Sequence, residues 1–139
     1  LENPKTRNFQ TGSVSMVGEI TERMLHYQRR LEVVAEFAAD LRQLGPANFL
    51  YADAEIWFAQ GHRRIRRATG RIEPPGLFRL SQPYSRADQS LYARDVTVAP
   101  GFEAVTLIAS VPLSTADWQP FVEGEIVAVS AGRVTPQVA

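Results

Sequence analysis

From Val17 to Leu41 the apolar residues fall at strictly alternating intervals of three and four: Val17, Ile20, Met24, Tyr27, Leu31, Val34, Ala38 and Leu41. Only an α-helix puts such a series on one face, and a period of 3.5 is the one that lets helices supercoil. At about 1.5 Å per residue the helix would run roughly 40 Å, long for the remaining chain to cover. Its start is expected at Ser13 or Ser15, whose hydroxyls can accept from free backbone amides, with Glu19 and Glu22 favoured near the positive end of the dipole. Its stop is expected at Gly45-Pro46, with Arg42 in the last turn. The chain thus divides into an extended lead-in over 1–13, a helix over 14–45 and a third region over 46–139.

The seam has two readings. One is an oligomeric stem in which Val17, Ile20, Met24, Tyr27, Leu31, Val34, Ala38 and Leu41 meet other copies, a trimer being favoured. The other is a helix lying on the chain's own sheet. Val33, Phe37 and Leu44 widen the apolar face and support packing at the C-terminal end.

Beyond Ala47 the texture becomes that of strands. Residues 49–59 alternate, with Leu50, Ala52, Ala54, Ile56 and Phe58 to one side and Tyr51, Asp53, Glu55 and Trp57 to the other. The stretch can also be read as a helix capped by Asn48 and ended by Gly61; the alternation favours a strand. Gly61-His62 then reads as a hairpin turn, returning through Arg63–Thr69 with Phe58 opposite Ile65 and Trp57 opposite Arg66. Pro74-Pro75-Gly76 breaks the chain, and Leu77–Leu80 makes a short strand. Ser90–Val98 and Phe102–Val111 form an expected second hairpin, Pro112–Pro120 a loop, and Phe121–Val129 a last strand before a frayed tail from Gly132. Short strands punctuated by Gly and Pro favour an antiparallel sandwich or barrel, so the fold class is α+β: a long N-terminal helix, then a β-rich module.

Composition excludes several functions. The 139 residues contain no cysteine, so disulfides and thiolate metal sites are ruled out. Fifteen basic residues balance fifteen acidic ones, which gives no global pull toward nucleic acid. No run is long enough to cross a bilayer, and the opening lacks both a signal peptide's apolar stretch and an initiator methionine, as a piece of something longer would. His26 and His62 have no metal-spaced partners, and no metal or other cofactor is expected. No serine sits in a nucleophile elbow, and no Gly-rich phosphate loop occurs. Asp53 with Glu55, and Glu123 with Glu125, are same-face carboxylates of an ordinary kind. The residues therefore point away from an enzyme.

What remains are ligand-contact candidates. Arg63-Arg64-Ile65-Arg66-Arg67 is the densest feature, and guanidinium groups grip carboxylate, sulfate or phosphate bidentately. The bland reading is a charged edge strand that resists mispairing. Trp57, Tyr84 and Trp118 offer faces that stack on sugar rings, though a Trp in a small β-domain more often fills the core. Trp57, Arg64, Arg66, Tyr84 and Trp118 are the candidate contact residues.

Over Val14–Val134 this layout of lead-in, heptad rod and β-rich end resembles phage-type fibre or head-spike proteins and related adhesins. The resemblance implies a homotrimeric structural protein, extracellular or on a virion, whose β-sandwich head contacts a surface glycan or docks into a larger particle. Two other classes stay open: a sensor domain with the helix packed on a ligand-enclosing sheet, and a small enzyme with no visible motif.

Overall fold

The computed structural model describes residues 4–82, 91–93, 96–98 and 104–135. Among the described residues, one helix, α1 (Pro4–Leu44), precedes eleven short strands. The fold is α+β, an N-terminal helix followed by antiparallel sheets, as expected. The helix begins ten residues earlier than the serines indicate, so residues 4–13 are helical. The expected extended lead-in over 1–13 is thus helical from Pro4, and proline is well suited to the first helical turn, where its missing N–H costs no bond. The stop falls where expected: Gly45 takes a φ of +150°, which side-chain-bearing residues rarely adopt, and Pro46 cannot continue the helix.

The chain divides into two units, one ending at Phe37 and the other beginning at Ala38. In the first, the described side chains run from Leu25, with Glu22; those of Val17, Ile20 and Met24 lie outside the described set. Val34 is buried, Tyr27 and Leu31 are half-buried, and Leu25, Val33 and Phe37 are exposed. Burial pushes the Tyr27 hydroxyl above its ordinary pKa.

The second unit carries the last helical turns, where Ala38 is buried and Leu41 half-buried, and the sheets. β1 (Phe49–Ala52) and β2 (Trp57–Gln60) form an antiparallel hairpin, Phe49 opposite Gln60 and Ala52 opposite Trp57. The single strand expected over 49–59 is thus cut in the middle. Asp53 makes the cut: its Oδ1 accepts from the amides of Glu55 and Ile56, and its own amide donates to the Ile56 carbonyl. This is the Asx chemistry that turns a chain locally. β3 (Arg64–Ile65) pairs with β4 (Ile72–Glu73), not with β2, so the expected pairs Phe58–Ile65 and Trp57–Arg66 do not form.

β5 (Phe78–Gln82) is the middle of a second sheet. β6 (Leu91–Ala93) and β7 (Val96–Val98) pair with each other, while β8 (Val105–Ala109) pairs with β5. The hairpin expected from 90–98 and 102–111 is therefore replaced by one inside the first of those segments. β9 (Gln119–Pro120) lines the other side of β5. β10 (Ile126–Ser130) returns beside β2, and Ala131-Gly132, both at positive φ, turns the chain into β11 (Arg133–Val134). Two positive φ values match a type I′ turn, so a hairpin stands where a frayed tail was expected. The two larger sheets have the orders β1-β2-β10-β11 and β8-β5-β9.

Cross-strand register explains the core. Ala59 faces Val127 and Trp57 faces Val129, so these four share one side of the first sheet. They pack with Leu77, Phe121, Ile108 and Val134, joining both sheets. Complete burial of Phe121 or Val129 contributes about 2 kcal/mol each. Phe58, Gln60 and Ala128 lie on the opposite side and are also buried. Among the described residues no helix is long and apolar enough to cross a membrane.

Candidate functional site

The most elaborate polar arrangement sits where β2 runs out. Gly61 and His62 leave the strand and meet the turn that introduces β10. The Gly61 amide donates to the Glu125 carbonyl at 3.0 Å, and the Gly124 amide donates to the Gly61 carbonyl at 2.8 Å. Gly124 holds a φ of +80°, and the Val122 amide donates to Glu125 Oε2 at 2.8 Å, so the turn is closed by its own carboxylate. Arg79 donates to the other oxygen of Glu125 at 2.8 Å, with its guanidinium over the Phe121 ring.

Asn48 clamps the second side. Its Oδ1 accepts from the His62 amide at 2.7 Å and its Nδ2 donates to the Arg63 carbonyl at 2.8 Å, so a side chain serves as a backbone rung. Gly76 is required beside it: a Cβ there would lie 1.8 Å from Asn48 Oδ1 and 2.8 Å from the His62 amide nitrogen. Gly61 is required for contact, not for φ, because a Cβ would stand 2.8 Å from both Cβ and Cδ2 of Phe121.

His62 is buried with both ring nitrogens engaged. Nδ1 accepts from the Ala47 amide at 3.4 Å, and Nε2 lies 3.4 Å from Glu123 Oε1. Glu123 also accepts from Arg63 Nε, and that bond, ahead of the charges of Arg63 and His62, holds its carboxyl below the usual range. An imidazole whose Nδ1 is occupied by an amide N–H is a brace rather than an open base. Two nearby groups stay unsatisfied: Gln60 is fully buried with neither amide atom paired, and Arg42 Nη1, beside Gly124, is buried without a partner. Each such group costs about 1–3 kcal/mol.

The contact candidates do not converge here. Arg64 donates to the Ser110 carbonyl and Arg66 to the carbonyls of Pro74 and Pro75, so both guanidinium groups pin backbone. Trp57 packs against the core, and Trp118 is buried with its Nε1 donating to Ser114 Oγ at 3.0 Å. Tyr84 lies outside the described residues. Among those described, no group of three metal-ligating side chains forms. Sequence reasoning met Asn48, Gly76 and Glu123 only as a helix cap, a chain break and an ordinary carboxylate, because the cluster joins positions up to 75 residues apart.

The sequence pattern of the family described as class-II glutamine amidotransferases matches residues 14–139. The chain belongs to that family. No curated protein and no solved structure compared with it matches. The match overturns the expected kinship with fibre, spike and adhesin proteins, and with it the virion and carbohydrate-binding reading and the non-enzymatic role: this is an enzyme family. The physical source of the error is the helix. A heptad series reads as a stem when its partners are unknown.

Proposed function

We propose that the chain works in moving the side-chain amide nitrogen of glutamine to an acceptor. The family match over residues 14–139 carries this reading. In its simplest form the C–N bond of the amide breaks, a C–O bond to water forms, and ammonia leaves with the proton that water gives up. Such a reaction needs a nucleophile, a base and donors for the developing oxyanion. The 139 residues supply no thiolate, and the His62 ring is engaged by Ala47 and Glu123 and not by a hydroxyl. The described module therefore reads as the frame of the domain. Asn48, Gly76 and Glu123 hold its loops in place, and the reacting groups are to be sought outside the described residues. The test incubates the natural-length protein with glutamine and follows glutamate, with asparagine as control. Glutamate formation from glutamine supports the reading; a folded protein that leaves glutamine intact, with or without candidate amine acceptors, overturns it.

A further inference from the structure

The two edges of the first sheet differ. In the order β1-β2-β10-β11 the β11 end is tied to the second sheet: Thr106 Oγ1 donates to the Gly132 carbonyl at 2.8 Å, and a Cβ at Gly132 would lie 2.1 Å from the Ala104 carbonyl oxygen. At the other end, β1 has β2 as its one strand partner among the described residues, and Leu50, Tyr51 and Ala52 are all exposed. Nor does β1 carry the devices that usually blunt an edge, since Phe49-Leu50-Tyr51-Ala52 holds no charge and no proline.

Hydrogen bonds fix which groups point out of that edge. The Asp53 amide donates to the Ile56 carbonyl at 3.0 Å, so these two residues form a bonded pair at the head of the β1–β2 hairpin. Bonded and non-bonded pairs alternate along an antiparallel ladder, so Tyr51–Phe58 and Phe49–Gln60 are the bonded pairs within it. The far side of β2 agrees. There the Gly61 amide donates to the Glu125 carbonyl, which turns the backbone groups of 57 and 59 toward β10 and those of 58 and 60 toward β1. The N–H and C=O groups of Leu50 and Ala52 therefore point outward, with no strand beyond them among the described residues.

From this spacing of donors and acceptors we infer that β1 of one copy pairs with β1 of a second copy, antiparallel about a two-fold axis at Tyr51. Leu50 of each copy then exchanges both backbone bonds with Ala52 of the other, an isologous contact that closes as a dimer. Centring the axis on Leu50 or Ala52 would leave one bonded pair within the strand in place of two, which selects this register. The side chains match in it as well. Leu50, large and 61% exposed, lies opposite the small Ala52. Tyr51 meets its own copy as a non-bonded pair with Cα atoms about 4.5 Å apart. Its ring already stacks on Phe58 at 6.3 Å between centroids, so pairing extends an aromatic row across the axis. The two Asp53 residues fall at opposite ends of the new ladder, roughly 13 Å apart. The contact is separate from the heptad series of α1 and does not rest on the amide-transfer reading.

The test reads the solution mass of the natural-length protein by light scattering up to about 100 µM, because an edge of four residues is smaller than a standard interface and pairs reversibly in the micromolar range. Ala52→Pro removes an outward amide and no bond within the sheet, a place where edge strands accept proline. Leu50→Lys sets a charge on the edge. Each should weaken the dimer about tenfold or more with circular dichroism unchanged; if Ala52→Pro unfolds, Leu50→Lys decides. Tyr51→Cys gives a second readout. A Cα separation of about 4.5 Å lies within disulfide reach, so mild oxidation should link two copies about tenfold or more faster than it links Val122→Cys, an exposed control away from β1. A monomer at about 100 µM overturns the inference, whether the edge stays open or another segment of the protein covers it. So does a dimer indifferent to the edge variants, and so does cross-linking no faster at 51 than at 122.

Discussion

Substituting Gly76 by Ala should damage the loop cluster through one identified collision. The new methyl would sit 1.8 Å from Asn48 Oδ1, so the Asn48 amide must swing away. That breaks the bonds to the His62 amide and the Arg63 carbonyl together. At about 0.5–1.5 kcal/mol net per bond, their loss costs about 1–3 kcal/mol. The His62 amide is then left without its partner, and the 2.8 Å approach of the methyl to the same nitrogen adds strain, bringing the total to about 3–5 kcal/mol. Asn48→Ala alone loses the same two bonds and costs about 1–3 kcal/mol. Because both substitutions remove the same clamp, the double variant should fall short of the sum by about 1–3 kcal/mol. Urea denaturation of the four proteins closes the cycle. Strict additivity would refute the reasoning, since the cost of Gly76→Ala would then lie in the His62 backbone and not in the clamp.

Two further outcomes follow from the same cluster. Gln60→Met removes a fully buried amide with no partner at either end and should stabilise the fold by about 1–3 kcal/mol; destabilisation on thermal melting would mean that the amide is used. The Glu123 carboxyl is held low chiefly by the bond from Arg63, so its stabilising effect is present above the ordinary carboxylate pKa of about 4.3 and is lost as pH falls through the lowered folded value. The gap in urea midpoint between the wild type and Glu123→Gln should therefore close below about pH 4, and a gap unchanged down to pH 3 would contradict the latch.

Local chemistry was legible in the sequence, and long-range pairing was not. The helix and its stop followed from the heptad series and Gly45-Pro46 because both are local devices. Its start did not, because a first-turn proline promotes the element that an interior proline breaks. The split of 49–59 was available in principle: Asp53 is a turn former, but perfect alternation on either side of it hid the break. Gly61 drew attention for the wrong reason, as a turn glycine, when its role is to let Phe121 approach. The cluster itself joins Asn48, His62, Gly76 and Glu123 from four segments, and no spacing rule links them. Trp118 shows the same limit from the other direction. An amphipathic residue in a Pro-bounded loop looked like a contact point, and the fold buries it onto Ser114.

The amide-transfer account is tested most directly with glutamine labelled with ¹⁵N in its side chain. The natural-length protein is incubated with the substrate and candidate amine acceptors while NMR follows the label. The account predicts that ¹⁵N leaves the amide for ammonia or an acceptor and that glutamate appears in equal amount. Label that stays in the glutamine amide, in the presence of folded protein and acceptors, would contradict it.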